Sequence, residues 1–206
     1  KPTALFSNTQ IENPNLMLEG MPNYRSGVDG LRVSNSTKGG ITFAASTTQN
    51  GIHMITVVLG VEAVDGDPYA RFVATSSLMN YVVRTFVSSI VVKEGDPYGK
   101  SKATIMDGKS ETVLAVAKKD FYIVEKQGSQ AEPKIQFKSD QESFRAPVKS
   151  GTNLGKLHYT DPDKIGRGYL EDQEPTVDMV AGRTIEKSFF LKVWWNEFVR
   201  YVNEKL

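Results

Sequence analysis

There is no cysteine among the 206 residues. That removes disulfides, thiolate metal sites and cysteine nucleophiles at once. It does not decide the compartment, since an exported protein can do without thiols as readily as a cytosolic one. Histidine is nearly missing too. His53 and His158 each stand in a strand-like run with no second ligand at a useful spacing, so both read as structural or surface residues. The net charge is only +1, so no bulk field draws the chain to nucleic acid or to an acidic membrane, and any such attraction has to be local. No apolar run is long enough to cross a bilayer, no signal segment is present, and no initiator Met precedes Lys1. The opening run Thr3 to Gln10 reads like the interior of a domain, and the expectation is a piece of something longer. Gly27-Val28-Asp29-Gly30 is not followed by Gly-Lys-Ser/Thr, which excludes a phosphate loop. Asp161, Asp163, Glu171, Asp172 and Glu174 lack the twelve-residue calcium pattern and read as a solvated acidic loop. No metal and no cofactor is expected.

What is present suffices for packed cores: 39% of residues are hydrophobic and 24% charged, and the length allows one large domain or two ordinary ones. Residues 1–30 are rich in Asn, Pro and Gly and read as irregular structure with short helical turns. Three consecutive strands follow: Gly30 to Ser34, Gly40 to Ser46, and Ile52 to Leu59. Asn50-Gly51 gives the second connection its hairpin character, because both residues tolerate positive φ. The third strand is apolar nearly throughout, as a strand covered on both faces would be. Asp67-Pro68 then announces a helix, a capping carboxylate followed by a proline at the first helical position. Tyr69, Phe72, Val73, Ser76, Met79, Val83, Phe86 and Val87 form its apolar stripe.

From Ser89 the pattern changes to short β-rich runs around Ile90, Ala103, Thr112, Phe121, Ile135, Lys156 and Val177, separated by turns such as Asp107-Gly108 and Ser150-Gly151. Many short strands with no helical pattern between them predict a small sandwich. Residues 185–206 carry the strongest helical periodicity. Phe190, Leu191, Trp194, Trp195, Phe198 and Tyr201 lie on its apolar half, and Lys192, Asn196, Glu197 and Arg200 on the other. The predicted fold class is α+β: antiparallel strands with a closing helix over residues 1–88, an all-β sandwich over 89–184, and an amphipathic C-terminal helix over 185–206.

Three stretches resemble one family. Asn13-Pro14-Asn15-Leu16 followed by Val28-Asp29-Gly30-Leu31 is similar to the approach to the third active-site motif of low-molecular-mass penicillin-binding D-alanyl-D-alanine carboxypeptidases of Gram-positive type. Met54 to Leu59 with Asp67 to Phe72 resembles the next strand and closing helix of that catalytic domain. Residues 185–203 are similar to the membrane-proximal tail of the same enzymes. The resemblance implies a serine acyl-enzyme that trims D-alanine from peptidoglycan pentapeptides and binds β-lactams, held at the outer face of the cell membrane. The family's motifs are Ser-x-x-Lys, Ser-x-Asn and Lys-Thr-Gly. No serine here has Lys three residues on or Asn two residues on, so no catalytic residue is assigned in this chain. Peptidoglycan stem peptides and β-lactams are therefore expected as partners only of a complete enzyme.

At the third motif the resemblance puts Arg32 at the lysine, Val33 at the threonine and Ser34 at the glycine. Arg32 keeps the positive charge in a different shape. Val33 lacks the hydroxyl that would bond a substrate carboxylate, roughly 1.5–3 kcal/mol for a charged partner. Ser34 adds a Cβ where close approach is wanted. Asn35 to Gly40 keeps Lys38 and the last glycine but has Thr37 at the usual aspartate. These residues form a degraded or remodelled substrate strand. The rings of residues 185–206 prefer the headgroup boundary and point to contact with a membrane surface. Docking on the sandwich and self-association are the alternatives for that helix; separately, a complementary chain bearing the missing half would complete the site, and no nucleic-acid partner is expected. The functional readings are a carboxypeptidase family member and a non-catalytic cell-surface binding or scaffold module derived from that family.

Overall fold

The computed structural model describes residues 3–6, 9–36, 39–62, 67, 69–161, 163–166, 168–169 and 173–205. The chain divides into two compact units: Lys1–Ser88 with Val124–Gly128, and Ser89–Ile123 with Ser129–Leu206. Nothing in the local pattern of residues 124–128 announces that they belong with the first unit.

The first unit opens on a hairpin, not on the expected irregular stretch: β1 (Thr3–Phe6) pairs antiparallel with β2 (Thr9–Glu12), Thr3 opposite Glu12. Every described β2 position is exposed, so no buried face imposed the alternation by which a strand is recognised. In the loop that follows, buried Asn15 accepts the Met17 N–H at 3.0 Å, and Met17 is wholly enclosed. A meander of β3 (Val28–Ser36), β4 (Gly40–Gln49) and β5 (Ile52–Val61) comes next, with Asn50 at φ 51° and Gly51 at φ 75° in the β4–β5 turn. These three strands and their Asn-Gly connection are where the sequence puts them.

Helix α1 (Ala70–Thr85) packs on β4 and β5, with Phe72 edge-on to Phe43 at 5.0 Å between ring centres. The α1 face that is buried runs through Arg71, Phe72, Thr75 and Met79, with Val82 and Val83 beside it, while Tyr69 and Val73 are exposed. The expected stripe is thus rotated, because Thr75 satisfies its own hydroxyl on the Arg71 carbonyl at 2.8 Å and can be buried as if apolar. Phe86 and Val87 leave the helix for a strand. Asp67 does not cap α1 either. It accepts the Tyr69 N–H at 2.8 Å in a local turn, and Tyr69 is the N-cap residue without a side-chain bond. Pro68 lies outside the described residues.

The expectation that β5 is covered on both faces fails in this unit. Ile52, Met54, Thr56 and Val58 point into the core, whereas Ile55, Val57 and Leu59 are exposed, Leu59 by 74%. Apolar residues on both sides of a strand report composition, not cover.

The second unit is mostly β. Strands β7 (Pro97–Met106), β8 (Thr112–Ala117), β10 (Lys134–Ser139), β11 (Phe144–Arg145), β12 (Asn153–Thr160) and β13 (Thr176–Ala181) form one sheet in the order β10-β12-β13-β8-β7-β11, all pairs antiparallel except β11 with β7. The strands β6 (Phe86–Val92) and β9 (Phe121–Lys126) form a separate ribbon. Val92, Phe121 and Ile123 of that ribbon share one core with Val113, Leu154, Leu157, Val177 and Met179 of the sheet, the layering the many short strands predict. Gly155 sits at a bulge with φ 147°, and a Cβ there would lie 2.1 Å from the Lys138 carbonyl, so only glycine lets β10 and β12 close.

Beyond β13 the chain stays extended before turning helical. Ile185 bridges Val148, Lys187 bridges Gly108, and the Ser188 N–H donates to the Asp107 carbonyl at 2.8 Å. The final helix α2 is Phe190–Lys205, so the helix expected over 185–206 starts five residues late. No helix is long and apolar enough to cross a membrane among the described residues.

Candidate substrate strand and terminal helix

Among the described residues β3 is the outer strand of its sheet and pairs only with β4. The pleat sends alternate residues to opposite faces. Val33, paired with Phe43, lies half-buried against the α1 core. Arg32 and Ser34, paired with Ala44 and Thr42, face the other way and are exposed. The strand therefore brings Arg32 and Ser34 to one side and turns Val33 to the other. Arg32 makes no hydrogen bond or ion pair among the described residues. Asp29, at the start of β3, accepts a hydrogen bond from the Ser46 hydroxyl of β4 and pins the strand's first turn. Thr37 and Lys38, part of the expected motif, lie outside the described residues.

Arg71 is the feature that reading the sequence did not single out. It is 5% exposed, its Nη1 donates to the Ser34 carbonyl at 3.2 Å and the Thr42 carbonyl at 3.3 Å, and its Nε has no partner among the described residues. Ser34 and Thr42 are register partners, so one guanidinium ties both strands at the candidate motif. Its cation stands 5.8 Å from the centre of the Phe72 ring, and burial holds its pKa below the ordinary guanidinium value. The signal was legible in principle: Arg71 sits four residues before Thr75 and eight before Met79, a long cation on the buried stripe. Replacing Arg71 by Met keeps the stem and leaves both carbonyls short of a donor. Thermal unfolding should show the first unit weakened by about 1–3 kcal/mol; an unchanged melting curve would mean the guanidinium does not hold the strand.

Among the α2 positions expected to contact a membrane, Leu191, Trp194, Trp195, Phe198 and Tyr201 are all exposed, Trp194 by 61%. Trp194 stacks on Phe198 at 6.0 Å, and Trp195 lies 6.0 Å from the same ring. The side chain of Phe190 lies outside the described ones. His53 is exposed on β5, while His158 on β12 is half-buried, its pKa pushed down first by burial and then by Lys138. Of the acidic loop, Asp161 and Glu174 bond locally, to the Asp163 N–H and the Thr160 hydroxyl, and Glu171 and Asp172 lie outside the described residues. No group of three or more His, Asp or Glu is arranged to hold a metal ion among the described residues.

Residues 86–187 match the model of the penicillin-binding protein 5 C-terminal domain. This stretch of the chain belongs to that family. The chain is also homologous to D-alanyl-D-alanine carboxypeptidases. It is 26% identical over 133 residues to DacA of Haemophilus influenzae, covering 64% of this chain and 32% of that protein. It is 21% identical over 138 residues to DacD of Salmonella typhimurium, covering 67% and 34%. Among solved structures it superposes on the Streptococcus pneumoniae PBP3, described as a peptidoglycan synthesis regulatory factor, with TM-score 0.85 and 44% identity over 90% of this chain and 50% of that one. Penicillin binding protein 5 of Haemophilus influenzae shares the fold at TM-score 0.59 and 21% identity, covering 91% and 50%. The chain thus spans about a third of the curated relatives it matches and half of these solved chains. The penicillin-binding protein 5 C-terminal domain takes in β6 to β13 and the bridged segment through Lys187, and α2 follows it.

Proposed function

We propose that this sequence supplies the later catalytic-domain segment, the C-terminal sandwich and the anchor helix of a serine-type D-alanyl-D-alanine carboxypeptidase that trims peptidoglycan pentapeptides outside the cell. The observation that carries the reading is the 90% coverage by the PBP3 match. The family model leaves out residues 1–85, and coverage that wide includes most of them as well. Residues 1–88 are then the segment that ends the catalytic domain, with α1 as its closing helix; residues 89–184 lift it from the membrane; residues 185–206 lie on the outer leaflet through their apolar face.

In this reading β3 takes substrate backbone by strand addition along its outer edge. Arg32, exposed and unneutralised, attracts the terminal carboxylate. Ser34 stands where close approach is needed, and Arg71 fixes the height of its carbonyl. The nucleophilic serine and its lysine lie outside this sequence, so acyl transfer needs a half that bears Ser-x-x-Lys. Joined to such a half, the chain should release D-alanine from a peptide ending in D-Ala-D-Ala, and Arg32→Gln should lower kcat/KM by about 10- to 150-fold, the worth of one hydrogen bond to a charged group. Release that ignores Arg32 would remove β3 from the substrate site.

A second reading is favoured by Val33 and Ser34. An apolar residue packed into the core and a Cβ on the exposed side both suit a strand that has stopped binding substrate. The chain is then a non-catalytic surface module of carboxypeptidase descent, and the joined protein releases no D-alanine.

A further inference from the structure

We propose that the outer face of the second unit carries a docking cleft for an extended acidic peptide segment, with Lys102 and Arg183 on its rim and Leu114 and Val116 as its floor. The inference is independent of whether the first unit binds substrate.

On β8 the residues Val113, Ala115 and Ala117 point into the core, which leaves Thr112, Leu114 and Val116 on the outer face. An outer face of an antiparallel sheet ordinarily carries polar residues. Here Leu114 is 45% exposed, with Val116 beside it, at the bottom of a cleft of about 520 Å³, within the range of peptide and small-ligand sites. Gly95 and Pro97 form one wall, Gly182 and Arg183 the other. The cleft exists because β7 and β8 part company: Pro97 pairs with Val116 and Lys102 with Leu114, so β7 takes five steps where β8 takes two. Its frame is fixed by backbone bonds. The Gly95 N–H donates to the Ala117 carbonyl at 2.9 Å, and the Gly182 N–H donates to the Leu114 carbonyl at 3.0 Å. A Cβ on Gly182 would stand 3.0 Å from a Val116 methyl, so glycine lets that wall close down on the floor.

Charge selects the occupant. Lys118, just beyond β8, is neutralised by Asp178 at 3.6 Å, whereas Lys102 and Arg183 have no ion pair or side-chain hydrogen bond among the described residues. Glu94, Asp96 and Glu111, near in sequence, do not line the cleft. Two free cations above an apolar floor fit carboxylates flanking apolar groups. Leu114 and Val116 stand two residues apart, about 7 Å, the spacing of alternate side chains on an extended strand. The occupant is therefore a strand-like segment with apolar residues at alternate positions and an acidic residue at either end.

The test uses the full chain, labelled with nitrogen-15, and the peptide acetyl-Asp-Leu-Ser-Val-Glu-amide. Saturable shifts are expected at the Gly95, Leu114, Val116 and Gly182 amides, half-complete below about 1 mM. The Asn/Gln analogue of the peptide, and the Lys102→Glu, Arg183→Glu double variant, should each bind about tenfold more weakly or worse. Both variant positions are exposed, and an unchanged melting temperature confirms the fold. Absence of shifts up to about 5 mM, shifts that survive the charge reversal, or equal shifts from free glutamate would each overturn the proposal.

Discussion

Vesicle binding should fall by roughly 30- to 1,000-fold when Trp194, Trp195 and Phe198 are replaced together by serine. The three rings are exposed on α2, and both tryptophans lie against Phe198. Full burial of such a ring contributes about 1.5–3 kcal/mol, and half-burial of three gives about 2–4 kcal/mol, which is the stated range. Sedimentation with lipid vesicles reads it directly. Lys187, Lys192, Arg200 and Lys205 are largely offset by Glu186, Glu197 and Glu204, so neutral vesicles should bind almost as well as anionic ones. Binding that survives the triple substitution would take the membrane contact away from α2. If instead the unaltered chain is a dimer and the variant a monomer, the rings serve a second copy.

Acylation by benzylpenicillin should rise about 10- to 150-fold when Val33→Thr and Ser34→Gly are introduced together into a polypeptide that joins this sequence to a Ser-x-x-Lys-bearing half. The gain is one hydrogen bond to a carboxylate, about 1.5–3 kcal/mol, with easier approach at position 34. The geometry makes the exchange conditional. Val33 is half-buried beside Phe43, so threonine must keep one branch in that contact and turn the hydroxyl toward the strand's outer edge. Placing a hydroxyl there should cost about 1 kcal/mol of stability. Faster acylation with a slightly lower melting temperature is the expected pair of results. An unchanged rate would show that the strand is not the limitation.

The β3–β5 meander and most of the second unit could be read directly, because each strand is a β-rich run set between turn residues. Asn50-Gly51 specified its hairpin by the φ values it tolerates. Other features had no local signature. Strand β2 is exposed along its length and carries no pattern. β5 is apolar on both sides, which hid that only one side is covered. The first half of β7 is mostly exposed and polar, so the β-rich run begins at Ala103 while the strand begins at Pro97. At the candidate site the chemistry of Arg32, Val33 and Ser34 was legible by resemblance, but the pleat that separates them depends on the register with β4. Arg71 was hidden because a guanidinium is normally assigned to solvent, and its partners are carbonyls that the sequence cannot show.

The most direct test is to isolate the protein as cells make it, incubate it with benzylpenicillin, and locate any covalent adduct by intact and peptide mass measurement. The account predicts an acylated protein whose adduct maps to a serine outside residues 1–206, with none on the sixteen serines of this sequence. A species of 22.8 kDa that takes no adduct, or an adduct on a serine within the chain, would contradict it.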